Sequence, residues 1–214
     1  MTCARFELKL PILVFKTHKE GNGLRFMNQD NTPLSSDARF KGLIRTPEVL
    51  VHALKDDGIY PNNERLPLLA YQGALKLPEH DPARVFEALF GANQWGGSWR
   101  NGVYGLHHYH STAHEVLGVY SGTAQVQFGG EQGVVLSVSA GAVVVIPVGV
   151  AHKNLGASED FRVVGAYPSG QRWDLCYGEA GERPGADQNI ARVPLPKADP
   201  VYGTDGPLIE YWSK

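Results

Sequence analysis

Four histidines crowd between residues 107 and 114, and a fifth stands at 152, out of eight in a chain of 214 residues. A single histidine is usually a satisfied core or surface residue. A cluster this dense is better explained by a cation that needs several neutral imidazoles at once. His108 and His110 sit at i and i+2, so on an extended segment both side chains leave the same face, near enough to share an ion. His107 and His114 alternate to the opposite face and are expected to be outward or supporting residues. After Ser111-Thr112-Ala113, Glu115 can point back across a hairpin to the pair, on a face that Leu117 and Val119 continue inward. An isolated carboxylate against that apolar wall would be costly, and a cation removes the cost. Further on, an apolar run ends in Pro147-Val148-Gly149 and delivers His152. Proline fixes the approach, and glycine relieves the turn. The expected ligand set is His108, His110, Glu115 and His152. Tyr104, on the same face by alternation, is a pocket candidate.

These side chains need rigid carriers. From Trp95 to Tyr167 the pattern is β throughout, with strands expected at 102–110, 115–120, 124–128, 134–138, 142–146 and 161–167 and a hairpin turn at Phe128-Gly129-Gly130-Glu131. Many short strands with no helices between them imply a sandwich or closed barrel. One helix is expected at 82–90: Asp81 caps it, Pro82 opens it, Val85, Phe86, Leu89 and Phe90 share a face, and Gly91 stops it. Residues 5–10 alternate as a half-buried strand would, and 21–45 read as polar loop. The proline-rich tail from Arg183 should run extended over the surface, docking by Leu208, Ile209, Tyr211 and Trp212. Trp95 and Trp99 are expected to pack at a barrel end, and Arg100 and Lys153 to be solvated charges. The organisation read from this is an N-terminal arm (1–47), a lead-in segment with the helix (48–94), a barrel core (95–168) and an extended C-terminal segment (169–214).

At this point the chain resembles the cupin superfamily. The first cupin motif is Gly, five residues, His-x-His, three or four residues, Glu, six residues, Gly. Gly102, His108, His110, Glu115 and Gly122 meet it. The second is Gly, five residues, Pro-x-Gly, two residues, His, three residues, Asn. Gly141, Pro147, Gly149 and His152 meet it, while Gly156 takes the place of the Asn. A wider similarity, through Asp57-Gly58-x-Tyr60-Pro61-Asn62-Asn63, Ser98-Trp99-Arg100-Asn101-Gly102 and Gly165-Ala166-Tyr167-Pro168, is to small, mostly bacterial single-cupin proteins of unassigned reaction. The first 26 or so residues lie outside it, which makes Met27 the expected start. The resemblance implies an all-β, double-stranded β-helix (jelly-roll) barrel that holds one divalent metal on His108, His110, Glu115 and His152.

Composition narrows the partners. Hydrophobic residues make up 43%, charged residues 20%, and the formal net charge is −2, so no global basic field recruits nucleic acid or anionic lipid. No apolar run approaches a membrane span. Two cysteines, Cys3 and Cys176, lie outside any Cys-x-x-Cys spacing, which favours a reducing compartment, with the cytosol as the default. Three imidazoles and a carboxylate suit Fe, Mn, Co, Ni or Zn. The leading expectation is a metal-dependent oxidoreductase of dioxygenase type acting on a small polar metabolite. The alternatives are a non-catalytic metal or small-ligand binding cupin, and a metal-dependent isomerase or decarboxylase. A small-molecule partner and a homodimer complete the expectation.

Overall fold

A computed structural model describes residues 38–213. The expected strand at 5–10, Cys3, the start at Met27 and most of the 21–45 loop lie outside the described residues. The elements are β1 (Glu48–Leu54), β2 (Asn63–Gln72), α1 (Pro82–Ala92), β3 (Trp95–Asn101), β4 (Glu115–Ser121), β5 (Thr123–Phe128), β6 (Val134–Ser139), β7 (Val143–Ile146), β8 (His152–Ala157), β9 (Arg162–Pro168), α2 (Gly185–Ile190) and α3 (Pro207–Trp212).

The strands form two sheets, a large one in the order β1-β2-β7-β4-β9-β3 and a small one in the order β6-β5-β8. Every pairing between these strands is antiparallel. The all-β expectation holds. Between the sheets lies a core of Leu68, Leu117, Val119, Val144, Ile146 and Val163 from the large sheet and Ala124, Val126, Phe128 and Val138 from the small one. The large sheet has a second buried face. There Leu69, Tyr71, Val116, Val145 and Val164 meet Phe86, Leu89 and Phe90 of α1 and Leu208 and Trp212 of α3. Central strands covered on both sides read as unbroken apolar runs, as in Val143–Ile146, rather than as alternation.

Several elements differ from expectation for physical reasons. Residues 102–110 form no ladder strand. They cross from β3 in the large sheet to β8 in the small one, held by single bridges at His108–His152 and Tyr109–Cys176. Helix α1 runs through Gly91, which is not among the positive-φ glycines, and ends at Ala92 with Asn93 as its C-cap. Asp81 does not cap it by side chain; its carboxylate instead receives Arg100 Nη1 at 3.2 Å. The tail carries two short helices, and α3 is no surface strap: Leu208 and Trp212 are buried, with Trp212 Nε1 donating to the Pro67 carbonyl. A buried Asp199 anchors this region. It receives the Tyr71 hydroxyl and the amides of Val201, Tyr202 and Leu208.

Candidate metal centre

The crossings between sheets make the site. Glu115 opens β4, His152 opens β8 after the chain has left β7, and His108 and His110 ride on the 102–110 crossing. Each of these backbones is pinned to another. His108 and His152 exchange N–H···O bonds of 3.2 and 2.9 Å, and the Gly149 amide donates to the His110 carbonyl at 2.8 Å. Around the Pro147–His152 turn, Val148 N–H donates to His114 Nδ1 at 3.0 Å and Ala151 N–H to Asn62 Oδ1 at 3.2 Å. Asn63 Nδ2 donates to the Val148 carbonyl at 3.0 Å. Gly149 has φ +89°, and a Cβ on it would lie 2.5 Å from the Asn62 carbonyl oxygen, so only glycine fits. Asn62 and Asn63, legible in the sequence only as turn formers, position a site histidine.

The four expected residues come together. Ligand atoms of His108, His110 and His152 all lie within 4.8 Å of one another, and the three side chains are buried. Glu115 Oε2 stands 3.5 Å from His110 Nε2 and 3.3 Å from His152 Nε2. The tautomers follow from the far side of each ring. His108 Nδ1 lies 3.1 Å from the Leu106 carbonyl oxygen, His152 Nδ1 lies 3.3 Å from that of Val150, and His110 Nδ1 meets that of Asp174. A carbonyl oxygen only accepts, so each Nδ1 carries the proton and each Nε2 keeps a lone pair for the centre. His110 Nε2 and Glu115 Oε2 are buried without a hydrogen bond, the condition a divalent cation would relieve. The donor set fits such an ion.

Electrostatics agree. Burial first, then the neighbouring His152, pushes His108 down to about 3, so its ring stays neutral. Burial alone would press His110 down as well, but the Glu115 carboxylate outweighs it and raises that imidazole. Burial would raise Glu115, yet His110 and His152 hold it below the usual carboxylate range.

A cavity of about 350 Å³ opens onto this cluster. Trp99, Tyr104, Tyr167, Trp173, Leu117 and Leu175 line it with the four site residues. Tyr104 is half in water at the cavity rim. Trp99 does not merely pack: its Nε1 donates to the Tyr167 hydroxyl at 2.9 Å on the cavity wall. Trp95 is core. His107 faces away, against Tyr60 and 3.4 Å from Glu131. His114 also faces away but is wholly buried rather than outward, packed on Trp212. Sequence reasoning passed over Tyr167, Trp173 and Asp174. The Tyr167-Pro168 pair was visible only as resemblance, and residues 173–174 carry no local signal.

Two antiparallel sheets that bring a His-x-His pair, a glutamate and a distant histidine to one point define a cupin. No protein-family model matches the chain. It is 41% identical over 167 residues to the uncharacterised protein YjlB of Bacillus subtilis, a match covering 78% of this chain and 98% of that one. The chain belongs to the YjlB family of cupins. Among solved structures, an 11S allergen from Cocos nucifera is 18% identical, with a TM-score of 0.32 over 45% of this chain; the match spans 29% of the allergen. A DUF861 family protein from Thermotoga maritima is 22% identical, with a TM-score of 0.27, covering 42% of this chain and 94% of that protein.

Proposed function

We propose that this cupin is a metal-dependent oxidoreductase of dioxygenase type, with His108, His110, Glu115 and His152 holding one divalent ion and a small organic substrate entering by the cavity. The observation that carries the reading is the common tautomer of the three rings, which leaves three Nε2 lone pairs in one buried cluster, two of them beside the Glu115 carboxylate. A redox-active ion such as iron or manganese would supply electron transfer between substrate and O₂.

The residues around it bind, orient and exclude water. Leu117, Leu175 and the aromatic walls keep the cavity largely apolar. Tyr167 is kept a neutral phenol by burial and then by the Glu115 carboxylate beside it, so it serves as a hydrogen-bond donor and is a poor base. Among the described cavity residues, Glu115 is the one carboxylate, and it belongs to the ligand set. This favours redox chemistry over the isomerase and decarboxylase readings, which ask more acid–base work of the protein. It equally suits a receptacle that binds metal and ligand without turnover.

Elemental analysis of protein purified without added metal is the first test; absence of a stoichiometric ion under metal-replete expression would sink the reading. O₂ uptake by iron-loaded protein over a panel of small hydroxylated compounds then separates enzyme from receptacle. A cytosolic homodimer is part of this proposal. Its supports are a free Cys176 and open edge strands such as β1, and light scattering checks the dimer. Among the described residues no helix is long and apolar enough to cross a membrane.

A further inference from the structure

Rings make the cavity wall that faces the histidines. Tyr167 and Trp173 are stacked, with centroids 6.0 Å apart and 23° between their planes. Trp99 is fastened to Tyr167, and Tyr104 stands on the His108 side with 5.0 Å between ring centroids. Trp173 is 51% exposed and Tyr104 53%, so two large rings lining the cavity remain in water, where covering them is favourable.

Charge is disposed the other way. Arg100 is the one lysine or arginine among the described cavity residues, and its guanidinium is already occupied. Nε and Nη2 donate to the Glu87 carboxylate at 2.6 and 2.7 Å, and Nη1 donates to Asp81 at 3.2 Å. Lys153, next to His152, donates instead to Glu131 at 2.7 Å. A carboxylate or phosphate substrate would find no free cationic side chain here to pair with.

We infer that the substrate is an uncharged, planar, hydroxylated ring compound that stacks on Trp173, which Tyr167 backs, and presents its hydroxyl oxygens to the histidine–glutamate centre. The stacking half stands on the aromatic wall alone; the chelating half rests on the metal reading above. Catechol, hydroquinone, cis-cyclohexane-1,2-diol and oxalate are titrated into zinc-loaded and metal-free protein, read by tryptophan fluorescence and calorimetry with zinc content measured in parallel. Catechol binds the zinc-loaded protein at least about tenfold more tightly than the diol, which has the same two oxygens without the ring, and than oxalate. Trp173→Ala lowers that affinity at least about tenfold at unchanged zinc content, and Trp173→Phe, which keeps a ring, restores most of it. Diol or oxalate binding as tight as catechol, or catechol affinity unmoved in Trp173→Ala, overturns the inference. If the protein takes no zinc, the metal reading fails by itself. Hydroquinone, which cannot chelate, then decides the ring: binding to metal-free protein that Trp173→Ala abolishes supports it, and no hydroquinone binding overturns it.

Discussion

The His110 imidazole is held from behind by the main-chain carbonyl of Asp174, 64 residues further along the chain. The Asp174 carboxylate in turn takes the Ser111 amide, at 2.6 Å, and the Ser111 hydroxyl. One loop residue therefore fixes both the tautomer of a site histidine and the backbone beside it. Partners of this kind set ligand orientation, and losing one typically costs 10–100-fold in metal affinity. Asp174→Ala keeps that carbonyl but frees the Ser111 amide and hydroxyl that anchor the loop, so metal binding should weaken by about tenfold while the cooperative unfolding transition is kept. Competitive titration against a chromogenic chelator measures it, and wild-type affinity in the variant would show that the Asp174 carboxylate is not needed to hold the loop against His110.

His108→Ala removes one of three convergent Nε2 donors in a buried site. Metal content should fall from one equivalent per chain to background, because water in a cavity of this shape cannot restore a fixed imidazole donor. Glu115→Gln keeps the side-chain shape and removes the charge, so a smaller but clear loss of affinity is expected. Unchanged metal content in His108→Ala, measured by elemental analysis after gel filtration, would refute coordination by this cluster.

How much of this was legible in the sequence follows from the range of each interaction. The His-x-His pair, Glu115 and the Pro-x-Gly turn are local patterns, and the structure brings all four side chains together from spacing alone. Residues 102–110 kept their side-chain alternation although they form a crossing rather than a ladder, since two neighbouring bridges suffice to hold the chain extended. Strand β3 lies within the stretch from Trp95 that reads as β throughout, but Gly96, Gly97 and Ser98 leave it no apolar alternation to delimit it; the segment pairs with β9 along the sheet edge. Strand β2 was hidden behind the polar Asn63-Glu64-Arg65 opening and Pro67. The parts that Asp174 and Asn62 play at the site are not legible: their contacts to Ser111 and Ala151 span 63 and 89 residues, and no local periodicity encodes them.

Gly165 lies under the indole of Trp99. A Cβ there would come 2.2 Å from Trp99 Cε2, a contact that only displacement of the ring can relieve. Gly165→Ala should therefore break the Trp99–Tyr167 hydrogen bond and push an aromatic wall of the cavity out of place. A loss of stability of about 1–3 kcal/mol is expected from overpacking. Metal content should stay near wild type, since none of the four site residues carries the substitution. Urea unfolding and tryptophan fluorescence check both parts, and an unshifted emission maximum with full stability would count against the packing described.

His114 makes the metal-free protein acid-labile. Its ring is fully buried, and burial pushes it down to about 3 while its Nδ1 accepts the Val148 amide as a neutral imidazole. In the unfolded chain a histidine titrates at about 6.5. The unfolded state therefore binds the extra proton first, and the contribution is complete above about pH 6.5 and is lost progressively as pH falls towards 3. By linkage, about 2 kcal/mol should be gone at pH 5 for this residue. His108, pushed down in the same direction, adds a loss of like sign in metal-free protein. His114→Asn keeps an acceptor near the Nδ1 position and cannot take up a proton. Its unfolding free energy should drop less than that of the wild type between pH 7.5 and 5, by about 2 kcal/mol, whatever its absolute stability. Urea titrations of both proteins at the two pH values decide it, and parallel losses would show that His114 is not the group that charges.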